Sequence, residues 1–166
     1  MATYELIEEK NLGTSTASIT FSSIPNTYKD LLLKFSIRQT ASFPFSTVQL
    51  SFNGSTSSFS VIYLEGDGAT ISAGSSPARY VQYANAATST SNTFSNGELY
   101  IPNYAGSNYK NHSIDAVSEQ SSATAYDDLV VGLWSDTSAI TSITFAPASG
   151  NFAQYSSFYL YGIKNS

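Results

Sequence analysis

His112 is the only histidine in the chain, so any Ser–His–Asp relay must run through it. It sits in Asn111-His112-Ser113-Ile114-Asp115, where a period of two places the ring on the same face as Ile114. No Gly-x-Ser-x-Gly elbow or other nucleophile motif accompanies it. The ring reads as a strand-edge or surface imidazole. Carboxylates are the other reactive groups, because a pair of them performs glycoside hydrolysis. Among twelve acidic residues, Asp127-Asp128 and Glu65-x-Asp67 are two pairs that lie close in sequence. Both pairs fall in loop-like surroundings, where carboxylates serve solvation and turn hydrogen bonds. Glu65 and Asp67, flanked by Gly66 and Gly68, offer oxygens suited to calcium, but the stretch lacks the further ligands of an EF-hand loop. Neither a catalytic residue nor a metal or other cofactor is expected.

The aromatic content points to binding instead. The chain carries 12 Tyr, 10 Phe and one Trp, and an exposed tyrosine gives a partner both a ring and a hydrated hydroxyl. Phe35, Phe52, Phe145 and Trp134 lie on apolar strand faces and are assigned to the core. Tyr104 and Tyr109 flank the loop Ala105-Gly106-Ser107-Asn108 and are the candidates for an exposed contact, with packing against their own loop as the other reading.

Nearly every element that must position these groups has a period of two. In the stretch Leu31–Thr40, Leu31, Leu33, Phe35 and Ile37 fall on one face while Lys34, Ser36 and Arg38 fall on the other, the signature of a half-buried strand. A helix over the same region would use Tyr28, Leu31, Leu32 and Phe35, but the alternation continues cleanly to Ile37. Ten further strands are predicted: Tyr4–Lys10, Ala17–Phe21, Val48–Phe52, Phe59–Leu64, Tyr80–Ala84, Glu98–Ile101, Ser113–Ser118, Leu129–Trp134, Ile140–Phe145 and Phe158–Ile163. Asn53-Gly54 marks a tight reversal, and Pro25, Pro44, Pro77, Pro102 and Pro147 fall between runs or at their ends. Two stretches, Glu65–Ala78 and Asn85–Ser95, show no periodicity and are expected to be loops where a partner is met. About ten short strands without helical crossovers imply antiparallel pairing. The expected fold is an all-β, jelly-roll-like sandwich of two antiparallel sheets. Residues 1–10 form an N-terminal arm or edge strand, and residues 11–166 a single β-sandwich domain.

Composition narrows the partners. Charged residues make up 11% of the chain, which has no cysteine and a net charge of −5. Its seven basic residues do not cluster, so nucleic acid is not an expected partner. Met1–Lys10 has neither the basic nor the apolar segment of a Sec signal. The longest apolar runs, such as Leu31–Leu33, fall far below the roughly 18 residues needed to span a bilayer. Synthesis in the cytosol and no membrane association are expected.

Several segments resemble a family of small structural proteins of tailed bacteriophages. The carrying residues are Ile19-Thr20-Phe21-Ser22-Ser23-Ile24-Pro25-Asn26-Thr27-Tyr28, Leu31-Leu32, Arg38 and Phe52-Asn53-Gly54. Towards the C-terminus they are Gly132-Leu133-Trp134, Ala139-Ile140-Thr141-Ser142-Ile143-Thr144, Ser149-Gly150-Asn151-Phe152 and Leu160-Tyr161-Gly162-Ile163-Lys164. The resemblance is densest at the two ends. In the middle, Asn103-Tyr104-Ala105-Gly106 and Tyr109-Lys110-Asn111 only approximate the family's pattern. It implies a virion protein without enzymatic activity. The leading expectation is a capsid decoration (cement) protein, a homotrimer on the outer capsid surface bound to the major capsid protein. The alternative is a tail fibre or adhesion module that binds a receptor or glycan. An esterase or glycosidase ranks third. The arm, through Tyr4 and Leu6, is expected to reach a neighbouring copy or the shell.

Overall fold

The computed structural model describes residues 2–76, 79–119 and 125–164; Met1, Pro77 and Ala78, which the sequence reading used, lie outside the described residues. Twelve antiparallel strands form two stacked sheets. The strands are β1 (Thr3–Asn11), β2 (Ile19–Phe21), β3 (Asp30–Ile37), β4 (Phe45–Phe52), β5 (Phe59–Gly66), β6 (Ile71–Ser76), β7 (Tyr80–Asn85), β8 (Ser95–Pro102), β9 (Lys110–Glu119), β10 (Ala125–Trp134), β11 (Ile143–Pro147) and β12 (Ser157–Lys164). The large sheet runs β1-β12-β3-β8-β9-β10-β5-β6 and the small one β2-β11-β4-β7. This is the two-sheet sandwich that the alternation predicts.

The pattern of β9 shows why the layers form. Its even-numbered residues, from Lys110 to Ser118, are buried, while Asn111, Asp115 and Val117 are exposed. One face therefore meets the small sheet and the other meets solvent. Between the layers Phe21, Phe52, Phe145, Phe152, Phe158 and Trp134 form one continuous core. The helix considered over Tyr28 to Phe35 is not formed; β3 occupies that stretch, pairing with β12 and β8.

Two expectations need correction. The stretch Glu65–Ala78 is not a structureless loop, because β5 continues to Gly66 and β6 pairs with it from Ile71 to Ser76. Its sequence, Ile-Ser-Ala-Gly-Ser-Ser, hides the strand: an edge strand open to solvent needs no alternating apolar set. The Asp127-Asp128 pair likewise lies within β10 rather than in a loop. Of the two readings of the N-terminal residues, the edge strand is the one formed: residues 3–11 are β1, laddered to β12 with a bulge between Leu6 and Glu8. The stretch Asn85–Ser95 is irregular beyond Asn85, but it is not loose. The Arg38 guanidinium reaches into it and donates to the carbonyls of Thr90 at 2.8 Å, Thr93 at 2.9 Å and Ser89 at 3.1 Å.

Candidate functional site

The sheets are unequal, and that inequality creates the exposed chemistry. Four strands cannot cover eight, and the outer face of the large sheet has no covering layer among the described residues. At a strand spacing near 4.8 Å, its width from β1 to β6 is roughly 34 Å. Register places one transverse row across all eight strands: Leu6, Tyr161, Leu32, Tyr100, Ser113, Val131, Ile62 and Ser75. Residues directly opposite on neighbouring strands touch, so such a row is one physical surface.

The apolar part is concentrated on β10, β5 and β6. Ile62 is 62% exposed, Ile71 79%, and Leu64, Leu129 and Val131 are about half exposed. Leu129 stands opposite Leu64, and Val131 opposite Ile62. Val117 on β9 borders the field. Four aliphatic side chains in direct cross-strand contact leave a connected apolar area facing water, which monomeric proteins seldom tolerate outside a contact site.

Of the expected contact residues, Tyr4 and Leu6 lie at the β1 end of this face and are 59% and 51% exposed. Tyr109 is also exposed, just before β9 begins at Lys110. Tyr104 is not a surface residue. It is fully buried, part of the core, and donates its hydroxyl to the Pro25 carbonyl. The two tyrosines that sequence proximity groups together are separated by burial.

The exposure of Ile62, Leu64, Ile71, Leu129 and Val131 is not among the expectations from sequence. Their signal was present: β5 and β10 carry apolar residues at both parities, so one set falls on each face. Runs apolar at both parities read as ordinary hydrophobic strands unless the number of covering layers is known.

His112 is no surface imidazole. It is buried against Phe52, whose ring meets it edge-on at 5.5 Å, and neither ring nitrogen has a hydrogen-bond partner among the described residues. Gly132 opposes it on β10, and a Cβ there would overlap the imidazole. With no hydroxyl or carboxylate bonded to either nitrogen, the ring relays no proton in this arrangement. Burial pushes its pKa down to about 4.

Asp128 shows the opposite response. It is fully buried at the edge of β7, accepts from the Tyr80 hydroxyl at 2.7 Å and from the Tyr83 amide at 3.0 Å, and is pushed up to about 6, burial being the main cause. Asp67 is held below the usual carboxylate range by donors from Thr70 and Ala69. Its oxygens cap a turn rather than point at an ion.

These two buried groups set a pH prediction. An unfolded chain takes up the His112 proton near pH 6.5, the folded chain only near 4, so stability falls as pH drops through that window. Asp128 is protonated first in the folded state, near 6 against 3.8 unfolded, so stability rises as pH drops through 6 to 4. Each amounts to roughly 3 kcal/mol and they oppose one another. The wild-type contribution of this pair should be nearly flat from pH 7 to 4.5. His112→Leu, followed by thermal unfolding, should gain stability on acidification relative to wild type. Parallel curves for the two proteins would contradict the burial of a neutral His112.

No protein-family model matches the sequence, and no curated protein is significantly similar to it. The likeness to phage structural proteins rests on the residues named above, and the functional reading rests on the geometry.

Proposed function

We propose that this chain is a virion structural protein of a tailed bacteriophage, a capsid decoration protein that binds the outer surface of the shell and stabilises it. The observation that supports a binding role is the connected aliphatic field of Ile62, Leu64, Leu129 and Val131 on the uncovered face of the large sheet. An apolar field set on a rigid ladder suits docking to a fixed surface, because little conformational freedom is lost on contact. The proposed occupant of this field is the major capsid protein. The partner's identity follows from the phage resemblance, not from the field itself.

In this reading the opposite end of the same face, Tyr4 and Leu6 on β1, meets a neighbouring copy, and three copies surround a three-fold site of the shell. Closed symmetry is the common solution for identical chains. Many copies, each held at several points, gain through effective concentration. The alternative, an adhesion module at the tail, has one structural feature in its favour, a tyrosine-lined hollow between the sheets.

Light scattering on the purified protein, with a binding assay on particles lacking it, tests this directly. Trimers that bind such particles saturably, through an interface above about 1,000 Å², are the expected result. A monomer that ignores the shell and binds tail or host-surface material would overturn the assignment.

A further inference from the structure

Where the small sheet ends at β7, the inner face of the large sheet runs on without a covering strand among the described residues. Two adjoining hollows open there, of about 250 Å³ and about 170 Å³, sharing Glu65 and Tyr83 in their linings. Their walls are aromatic. Tyr63 and Tyr126 come from the inner faces of β5 and β10, and Tyr80 and Tyr83 come from β7. Tyr80 and Tyr83 are three residues apart and would ordinarily face opposite ways. A bulge solves this: Gln82 pairs with Val48 and Tyr80 with Gln49, leaving Val81 as the extra residue. A bulged strand re-aims its side chains, and both rings line the larger hollow.

The rings stand against one another rather than lying as a flat platform. Tyr80 meets Tyr83 edge-on at 5.7 Å, and Phe45 meets Tyr83 edge-on at 5.0 Å. Tyr126 stands 6.4 Å from Tyr83 and lines the smaller hollow. Together the angled rings make an aromatic box in which one ring, Tyr83, is shared by the two hollows.

Charge decides what the box suits. The Tyr80 hydroxyl lies 3.0 Å from Glu65 Oε1 and 2.7 Å from Asp128 Oδ1. A phenol has one proton to donate, so it satisfies one carboxylate and leaves the other short of a donor. No lysine or arginine lines either hollow, and none of the ion pairs among the described residues involves Glu65, Asp67 or Asp128. Arg79, the nearest basic residue in sequence, spends its guanidinium on Gln49 Oε1 at 2.6 Å and on the Leu50 carbonyl. Ring faces carry negative potential. Aromatic walls and carboxylates thus favour the same sign of guest.

From this geometry we infer that the hollow between β7 and the β5–β6 corner binds an organic ammonium group, a protonated amine or a quaternary ammonium, held by the tyrosine faces and by Glu65. A neutral sugar is the weaker guest. It gains little from the negative field. This site lies on the inner side of the large sheet, away from the proposed shell-docking face, so its fate and that of the docking proposal are separable.

The test uses the full chain with carbon-13-labelled tyrosine rings, followed by NMR during titration with tetramethylammonium, n-butylammonium, the neutral isostere neopentyl alcohol, and glucose. Saturable shifts confined to Tyr63, Tyr80, Tyr83 and Tyr126 are expected with the two cations, with binding at least about tenfold weaker for either neutral probe. Glu65→Gln, which keeps the shape and an acceptor for Tyr80, should weaken cation binding about tenfold while leaving the thermal midpoint close to wild type. Tyr83→Phe should retain binding because the ring face is kept. Equal response to cations and neutral probes, preference for glucose, no saturable shift, or an unaltered Glu65→Gln variant would each overturn the inference.

Discussion

Replacing Ile62 and Val131 together by aspartate is expected to abolish binding to particles that lack the protein, a loss of at least a hundredfold, while the thermal midpoint moves little. The two side chains stand opposite each other on β5 and β10 and project from the uncovered face. Neither belongs to the core, so the folded chain does not need their burial. In a complex they would be desolvated, and two carboxylates placed there would be buried without partners. That costs several kcal/mol, and about 2.7 kcal/mol already corresponds to a hundredfold. The two aspartates also repel each other across the ladder, a penalty small enough for the fold to survive. Circular dichroism and the unfolding midpoint establish that the variant is folded. Undiminished particle binding by a folded double variant would remove this face from the interface.

Leu160→Ala is expected to cost about 2–5 kcal/mol, seen as a large drop in the unfolding midpoint. The side chain is fully buried on the inner face of β12, between Phe158 and Gly162 on the same face. β12 is laddered on both sides, to β1 and β3. Two neighbouring strands hold the backbone in place, so the site cannot collapse to refill the space. A loss below about 1 kcal/mol would show that β12 is not the core strand it is taken for. The tyrosines of the opposite parity, Tyr159 and Tyr161, are only half-buried on the outer face. Alanine at those positions should cost less.

The contrast between these two sites shows what the sequence could and could not reveal. Leu160 is legible because it lies in the middle of an unbroken run of apolar and aromatic residues, Phe158 to Ile163. The sandwich follows from alternation repeated along the chain, together with the lack of any helical crossover. Strand β6 is illegible because an edge strand open to solvent is under no pressure to alternate. The docking face is half-legible. Tyr4 and Leu6 stand out as apolar residues in a charged segment, whereas Ile62 and Val131 are camouflaged inside runs that look like core.

His112 and Tyr104 fail in the opposite direction. Histidine and loop-flanking tyrosine carry a prior for exposure, and both are overridden by packing. A glycine on β10 makes room for the imidazole, and a backbone carbonyl at Pro25 accepts the phenol proton. Neither partner is near its residue in sequence. The tyrosine box is non-local in the same way, since its rings come from four strands of two sheets and depend on a bulge at Val81 that no local pattern announces.

The most direct test of the central proposal is a cryo-electron microscopy reconstruction of the intact virion at a resolution that orients this chain on the particle. The expected result places copies around three-fold positions of the shell, with Ile62, Leu64, Leu129 and Val131 against the major capsid protein and Tyr4 and Leu6 against an adjacent copy. Copies found only at the tail, or on the shell with the outer face of the large sheet turned to solvent, would contradict it.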